Sequence, residues 1–145
     1  MLATAGDLIA EKGYEIVSID PDSSVYEALK LLADKNIGAL LVFESGKLIG
    51  VFSERDYARK LALKGKFSRN TAVREVMTEN VITVSPDCNI EQCMETMTNK
   101  RIRHLPVVKE DHVTGIISIG DIVKAIISDQ KSTIGLLEDY IKGGR

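Results

Sequence analysis

Two tetrapeptides in the sequence place a hydroxyl and a carboxylate at matched spacing: Ser53-Glu54-Arg55-Asp56 and Ser118-Ile119-Gly120-Asp121. A carboxylate held in the first turn of a helix can accept two hydrogen bonds from a cis-diol, the logic by which dinucleotide folds read a ribose. The neighbouring hydroxyl and the helix N-terminus add donors that suit a phosphate or sugar oxygen. The same residues also make a capping box, with Ser at N-cap and an acid at N3, worth about 1 kcal/mol with no ligand present. One side chain can do both, and the spacing leaves the two readings open.

Cationic groups are distributed unequally around these stretches. Lys100-Arg101-Ile102-Arg103-His104 stands where the first copy has Lys35-Asn36-Ile37-Gly38-Ala39, and Arg55 precedes Asp56 where Gly120 precedes Asp121. Arginine offers a planar fork to phosphate oxygens, so phosphates are expected near Arg103, His104 and Arg55. Lys100 and Arg101 also suit a solvated helix end, and His104 a structural hydrogen bond. Cys88 and Cys93 are the sole cysteines. From their spacing near the start of one helix, their Cα atoms are expected to lie beyond the ~7 Å limit for a bridge. Cys93 aligns with Ala28 and reads as a small buried hydrophobe. With His104 and His112 the inventory matches no zinc spacing, and no metal is expected.

The elements that must position these groups repeat with them. Gly50 and Gly115 differ by 65 in number, and at that offset Pro21-Asp22 meets Pro86-Asp87, Val25 meets Ile90, Leu32 meets Met97, Leu40 meets Leu105 and Val42 meets Val107. The chain is a tandem repeat. Each copy reads as β-α-β-β-α. Glu15–Ile19 alternates as a strand, and Ser24 with Glu27 caps a helix carrying Val25, Ala28, Leu29 and Leu32. Ala39–Phe43 and Leu48–Phe52 read as a hairpin, and a helix starting at Ser53 ends by Gly65. In the second copy Asn89 with Gln92 caps, Leu105–Val108 and Val113–Ile117 make the hairpin, and Pro106 belongs at a strand start or edge. A short helix from Gly6 to Gly13 precedes the first copy, and a separate helix from Ser132 to Ile141 follows the second, to be packed on the fold or on a second subunit. The expected division is 6–65 for repeat 1 with its N-terminal helix, 66–72 for a linker, 73–130 for repeat 2 and 131–145 for the tail.

The chain has 145 residues, 44% hydrophobic and 28% charged, in the range of a soluble globular protein. A half of roughly 65 residues would be marginal alone, so the repeats are expected to share one core. A net charge of −2 with a pI near 5.7 gives no electrostatic footprint for duplex nucleic acid or an anionic membrane. There is no apolar run near the ~20 residues that span a bilayer, and the start lacks the pattern of a secretory leader. A cytoplasmic setting is expected.

Taken together, the two Ser-x-x-Asp stretches, Ile102-Arg103-His104-Leu105-Pro106-Val107-Val108, and Val76-Met77-Thr78 leading into Val81-Ile82-Thr83-Val84-Ser85-Pro86 resemble the cystathionine β-synthase (CBS) domain family. The resemblance covers nearly the whole chain as a tandem pair. It implies an α+β fold of two repeats about a pseudo-twofold axis, with two clefts that take an adenosine ligand such as AMP, ADP, ATP, S-adenosylmethionine or NAD(H). It also implies a homodimer formed through helices, regulation of a partner protein, and no catalysis. Carried over, one cleft would hold Val51, Ser53, Arg55, Asp56, Thr83, Ile102, Arg103 and His104. The other would hold Ser18, Ile37, Gly38, Ile116, Ser118 and Asp121. Serine replaces the family's frequent threonine in both motifs, and Gly38-Ala39 leaves the first copy without a cation.

Two other functions compete. An enzyme, a nucleotide hydrolase or thiol enzyme, would need a general base near Ser or Cys or a phosphate-cradling Gly-rich loop, and neither is present at motif spacing. A structural dimerisation module with degenerate pockets would need none of these.

Overall fold

The computed structural model describes residues 3–143. Its order is α1 (Ala5–Lys12), β1 (Ser18–Ile19), α2 (Val25–Lys35), β2 (Ala39–Glu44), β3 (Lys47–Ser53), α3 (Glu54–Asp56), α4 (Val73–Val76), α5 (Ile90–Lys100), β4 (His104–Lys109), β5 (His112–Ser118) and α6 (Ile119–Gly143). The α+β class and the two repeats are as expected. The chain divides into two compact units, Glu15–Ile82 and Met1–Tyr14 with Thr83–Arg145.

Within Glu15–Ile82, β1 pairs parallel to β2, and β2 antiparallel to β3. Ser45 and Gly46 join the hairpin with φ of 52° and 78°, the left-handed pair that matches strand twist in a two-residue turn. β2 is almost wholly buried and packs under α2, which Ser24 caps through its side chain and which Asn36 ends in a left-handed conformation. Beyond Asp56 the helix widens into a π-helix over Tyr57–Ala62, and a 3₁₀ turn follows at Ser68–Asn70. Leu40, Val42 and Phe52 meet Val25, Ala28 and Leu32 in the core, with Val73, Val76 and Met77 closing it.

That closure runs across residue 73, where the expected second repeat begins. Val73, Val76 and Met77 stand at its start in sequence, yet they complete the core of repeat 1. Val73 N donates to Ser23 O, Arg74 N to Pro21 O, and the Arg74 side chain reaches Asp22 and Glu44. With α4 in place, the first repeat has an apolar cluster of its own, and the expectation of a single shared core is not needed to explain its burial.

The other unit obeys the same rule with α1. Ala5 N donates to Cys88 O, Gly6 N to Pro86 O, and Ile90 N to Ala3 O. These are the bonds that Val73, Arg74 and Val25 make in the first unit, at matching positions of the repeat. The lead-in segments therefore correspond at an offset of 68, since Ala5 matches Val73, whereas the repeats correspond at 65. The N-terminal helix, expected with repeat 1, packs on repeat 2. Two glycines receive the lead-in segments: a Cβ at Gly50 would sit 2.5 Å from Met77 Sδ, and one at Gly115 2.6 Å from Ile9 Cδ1.

In this second unit β4 and β5 form a two-stranded sheet in which Pro106 pairs with Ile116 on an edge strand. The expected first strand of the repeat shrinks to a single parallel bridge between Val84 and Val107. In the first unit the matching strand keeps just Ser18 and Ile19, preceded by Val17, which packs on the core and accepts from Leu41 N, and by the exposed Glu15 and Ile16. The expected separate C-terminal helix is instead continuous with the repeat's last helix as α6, since nothing between Ile127 and Ser132 breaks the helical pattern. The last two residues of the expected tail, 144 and 145, lie outside the described residues.

Candidate functional site

In the first repeat the chain leaves β3 at Ser53 and turns into α3. Ser53 N and Oγ donate to Asp56 Oδ2 at 2.9 and 3.1 Å, and Asp56 N donates back to Ser53 Oγ at 3.2 Å. The capping reading of the motif is realised in full. Oδ1 is occupied too: Thr78 Oγ1 donates to it at 3.0 Å and Lys60 Nζ lies 3.0 Å away. Thr78 is held there because its N–H and carbonyl pair with Val51. Asp56 is 6% exposed, so a carboxylate that would be costly to bury alone is neutralised and fully bonded. The π-helix that begins at Tyr57 carries Lys60, and such turns recur at functional sites.

In the second repeat Ser118 N donates to Asp121 Oδ2 at 2.8 Å, and Asp121 N to Ser118 Oγ at 3.1 Å. The counter-charge comes from a different part of the chain. Lys12, the last residue of α1, donates to Asp121 Oδ2 at 2.8 Å and to Ile116 O at 2.8 Å. Among the described residues nothing donates to Asp121 Oδ1. Burial alone would raise the Asp121 carboxyl, but the Lys12 ammonium and the bonds from Ser118 outweigh it and hold the group below its ordinary value. Beside this pair, Leu8, Glu11, Lys12, Asp121, Lys124 and Ser128 line a cavity of about 470 Å³ between α1 and α6, a volume typical of small-molecule sites.

The remaining expected site residues fall into the two units as follows. Val51, Ser53, Arg55 and Asp56 are together in the first, with Gly38 alongside, since Glu54 N donates to Gly38 O. Ile37 packs on the first core and Ser18 pairs with Leu41 in β1. In the second unit Ile116, Ser118 and Asp121 are together with Arg103, whose carbonyl accepts from Ile119 N, and with His104, which faces Ser118 in the β4–β5 register. Ile102 N donates to Met97 O, and Thr83 is exposed one residue before the Val84 bridge. The structure thus adds three residues that the motif reading lacked: Lys60, Thr78 and Lys12. Lys60 was legible as an i, i+4 partner of Asp56. No local signal in the sequence points to Lys12. No group of three or more His, Cys, Asp or Glu that could hold a metal is found among the described residues.

The CBS domain profile matches residues 5–63 and 73–128. The chain belongs to the CBS domain family. A crystal structure of a CBS domain protein, NE2398, is 44% identical, superposes with a TM-score of 0.84, and the match covers 88% of this chain and 99% of that one. The mitochondrial CBS domain-containing protein CBSX3 of Arabidopsis thaliana is 41% identical over 85% of the chain, which spans 62% of that relative's length. The CBS domain pair of protein MJ0100, solved in complex with 5′-methylthioadenosine and S-adenosyl-L-methionine, is 27% identical with a TM-score of 0.77, covering 89% of this chain and 99% of that one.

Proposed function

We propose that this CBS pair is a non-catalytic regulatory module that binds an adenosine-containing ligand, AMP, ADP, ATP or NAD(H), and passes the bound state to a partner protein. The observation that carries the reading is the Asp121 carboxylate, which among the described residues keeps Oδ1 without a hydrogen-bond donor while Ser118 and Lys12 fix Oδ2. A sugar hydroxyl can donate to that oxygen with no rearrangement of the helix start. The adenosine ligands of the MJ0100 pair support the same moiety here. Asp56 has both oxygens engaged, so a ligand there must displace Thr78 or Lys60.

Binding would act by stabilising the ligand-competent arrangement over others, by no more than the ligand's difference in affinity for them. Calorimetry with AMP, ATP and NADH on the wild type and on Asp121→Ala tests it. The expected outcome is measurable heat for at least one nucleotide, with affinity reduced tenfold or more in the variant. No heat with the wild type, or equal affinity in both proteins, rejects the reading.

A homodimer is part of this proposal. Val123, Ile127, Ile134, Leu137 and Ile141 are exposed along α6 at spacings of 4, 7, 3 and 4, the register of a heptad seam. A seam of that kind is buried most simply against a copy of itself. Light scattering that returns the mass of one chain at micromolar concentration would remove this part of the proposal.

A further inference from the structure

Cys88 is the residue before the N-cap of α5, Asn89, and Cys93 is the fourth residue of that helix. Those two positions meet in a hydrophobic staple, where the entering chain folds back over the first turn. Here the staple is made of two thiols. Cys93 Sγ donates to Cys88 Sγ at 3.6 Å, so the sulfurs are in contact despite the separation expected from helical spacing. A disulfide requires about 2.05 Å, an approach of about 1.5 Å more. The entry angle is fixed by the reciprocal cap, in which Gln92 N donates to Asn89 Oδ1 and Asn89 N to Gln92 Oε1.

We propose that Cys88 and Cys93 form a reversible dithiol–disulfide site, closed by a hydroperoxide and reopened by a thiol reductant. Cys88 is half-buried and Cys93 buried, so an oxidant from solvent reaches Cys88 first. Burial, then the hydrogen bond and charge of Cys88, push the Cys93 thiol up to about 12, which keeps its proton in place until the second step. The Cys88 thiolate attacks the terminal peroxide oxygen, the O–O bond breaks, and the departing alkoxide takes a proton to become the alcohol. Cys93 Sγ then bonds to Cys88 Sγ as the S–O bond breaks, and the Cys93 proton leaves with the hydroxide as water. Two thiols and one hydroperoxide give one disulfide, one alcohol and one water. The carbonyl of Cys88 is also the acceptor for Ala5 N at 2.7 Å, so the site lies one peptide from the bonds that start α1.

The test is peptide mass spectrometry on the full chain after hydrogen peroxide and alkylation of remaining thiols. The expected product is an intrachain Cys88–Cys93 disulfide, short of two hydrogens, refractory to alkylation and restored by dithiothreitol. In Cys93→Ala, which installs the residue of the first repeat at this position, oxidation is expected to stop at a Cys88 sulfenic acid that dimedone traps. Both thiols still alkylated after peroxide, a Cys88 sulfinic acid in the wild type with Cys93 left alkylatable, or a disulfide joining two chains would each overturn the proposal.

Discussion

Asp56 and Asp121 start matching helices with matching serine caps, and differ in what closes the far side of the carboxylate. At Asp56 the lead-in segment breaks after Val76: Met77 is extended and Thr78 runs as a strand partner of Val51, its hydroxyl on Oδ1. At Asp121 the lead-in segment stays helical through Lys12, so the carbonyl of Ile116, the counterpart of Val51, is met by a side-chain ammonium in place of a backbone N–H. Propensity accounts for the divergence. Ala5, Leu8, Ala10, Glu11 and Lys12 favour continued helix, whereas Met77-Thr78-Glu79-Asn80 brings a β-branched residue and then Asn. One duplicated motif has become a sealed structural pin in the first repeat and an open, lysine-gated carboxylate in the second.

The largest effect expected from that difference is in stability. Asp56→Ala orphans Ser53 N and takes the acceptor from the Thr78 hydroxyl at a buried site, while Lys60 keeps Met77 O and Thr78 Oγ1, and a loss of about 3 kcal/mol follows from the cap and the unpaired donors. Asp121→Ala removes a cap at a position with 24% side-chain exposure, where water can replace the lost partner, and should cost about 1 kcal/mol. Urea denaturation of the two variants measures this directly. Equal losses, or a larger loss at Asp121, would show that the two carboxylates are not divided between a structural and an open role.

The glycines beneath the lead-in segments sharpen the comparison at a lower energy. A Cβ at Gly50 would meet Met77 Sδ at 2.5 Å and the backbone carbonyl of Thr78 at 3.1 Å, so the strand that carries Thr78 must move. At Gly115 the near atoms all belong to the Ile9 side chain, with no backbone atom among them. Gly50→Ala should therefore destabilise by about 2 kcal/mol and Gly115→Ala by less than about 1. Thermal melting that ranks them the other way would mean α1 is the more rigidly seated of the two segments.

Much of this architecture was readable from residue types. The Ser45-Gly46 turn, the caps at Ser24 and Asn89, and both Ser-x-x-Asp boxes follow from local chemistry that neighbours cannot override. What escaped was set by distance along the chain. Lys12 reaches Asp121 across 109 residues, and the equivalence of α1 and α4 is hidden because three additional residues shift it from an offset of 65 to 68. The thiol contact escaped for another reason: helical spacing separates i and i+5, but Cys88 is not in the helix, and the cap folds it back. β1 is shorter than the alternation in Glu15–Ile19 implies: Val17 and Ile19 pack on the core, while Ile16 on the other face is exposed.

The smallest expected effect concerns how α1 is held. Because the folded Asp121 carboxyl lies below its ordinary value of 3.8, the Lys12–Asp121 bond contributes stability that is complete above about pH 4 and is lost as pH falls through the folded-state value. Lys12 is 39% exposed on its side chain, so solvent screening keeps the contribution small. Amide hydrogen exchange of Leu8 and Ile9 should accelerate below pH 4 relative to that of Val73 and Val76, after correction for the intrinsic pH dependence. Lys12→Met should abolish the difference by removing the bond at every pH. If α1 keeps its relative protection into acid, or if Lys12→Met exchanges like the wild type above pH 4, the ammonium does not hold the helix, and the backbone bonds of Ala5 and Gly6 with the packing of Ile9 over Gly115 must explain why the segment stays where it is.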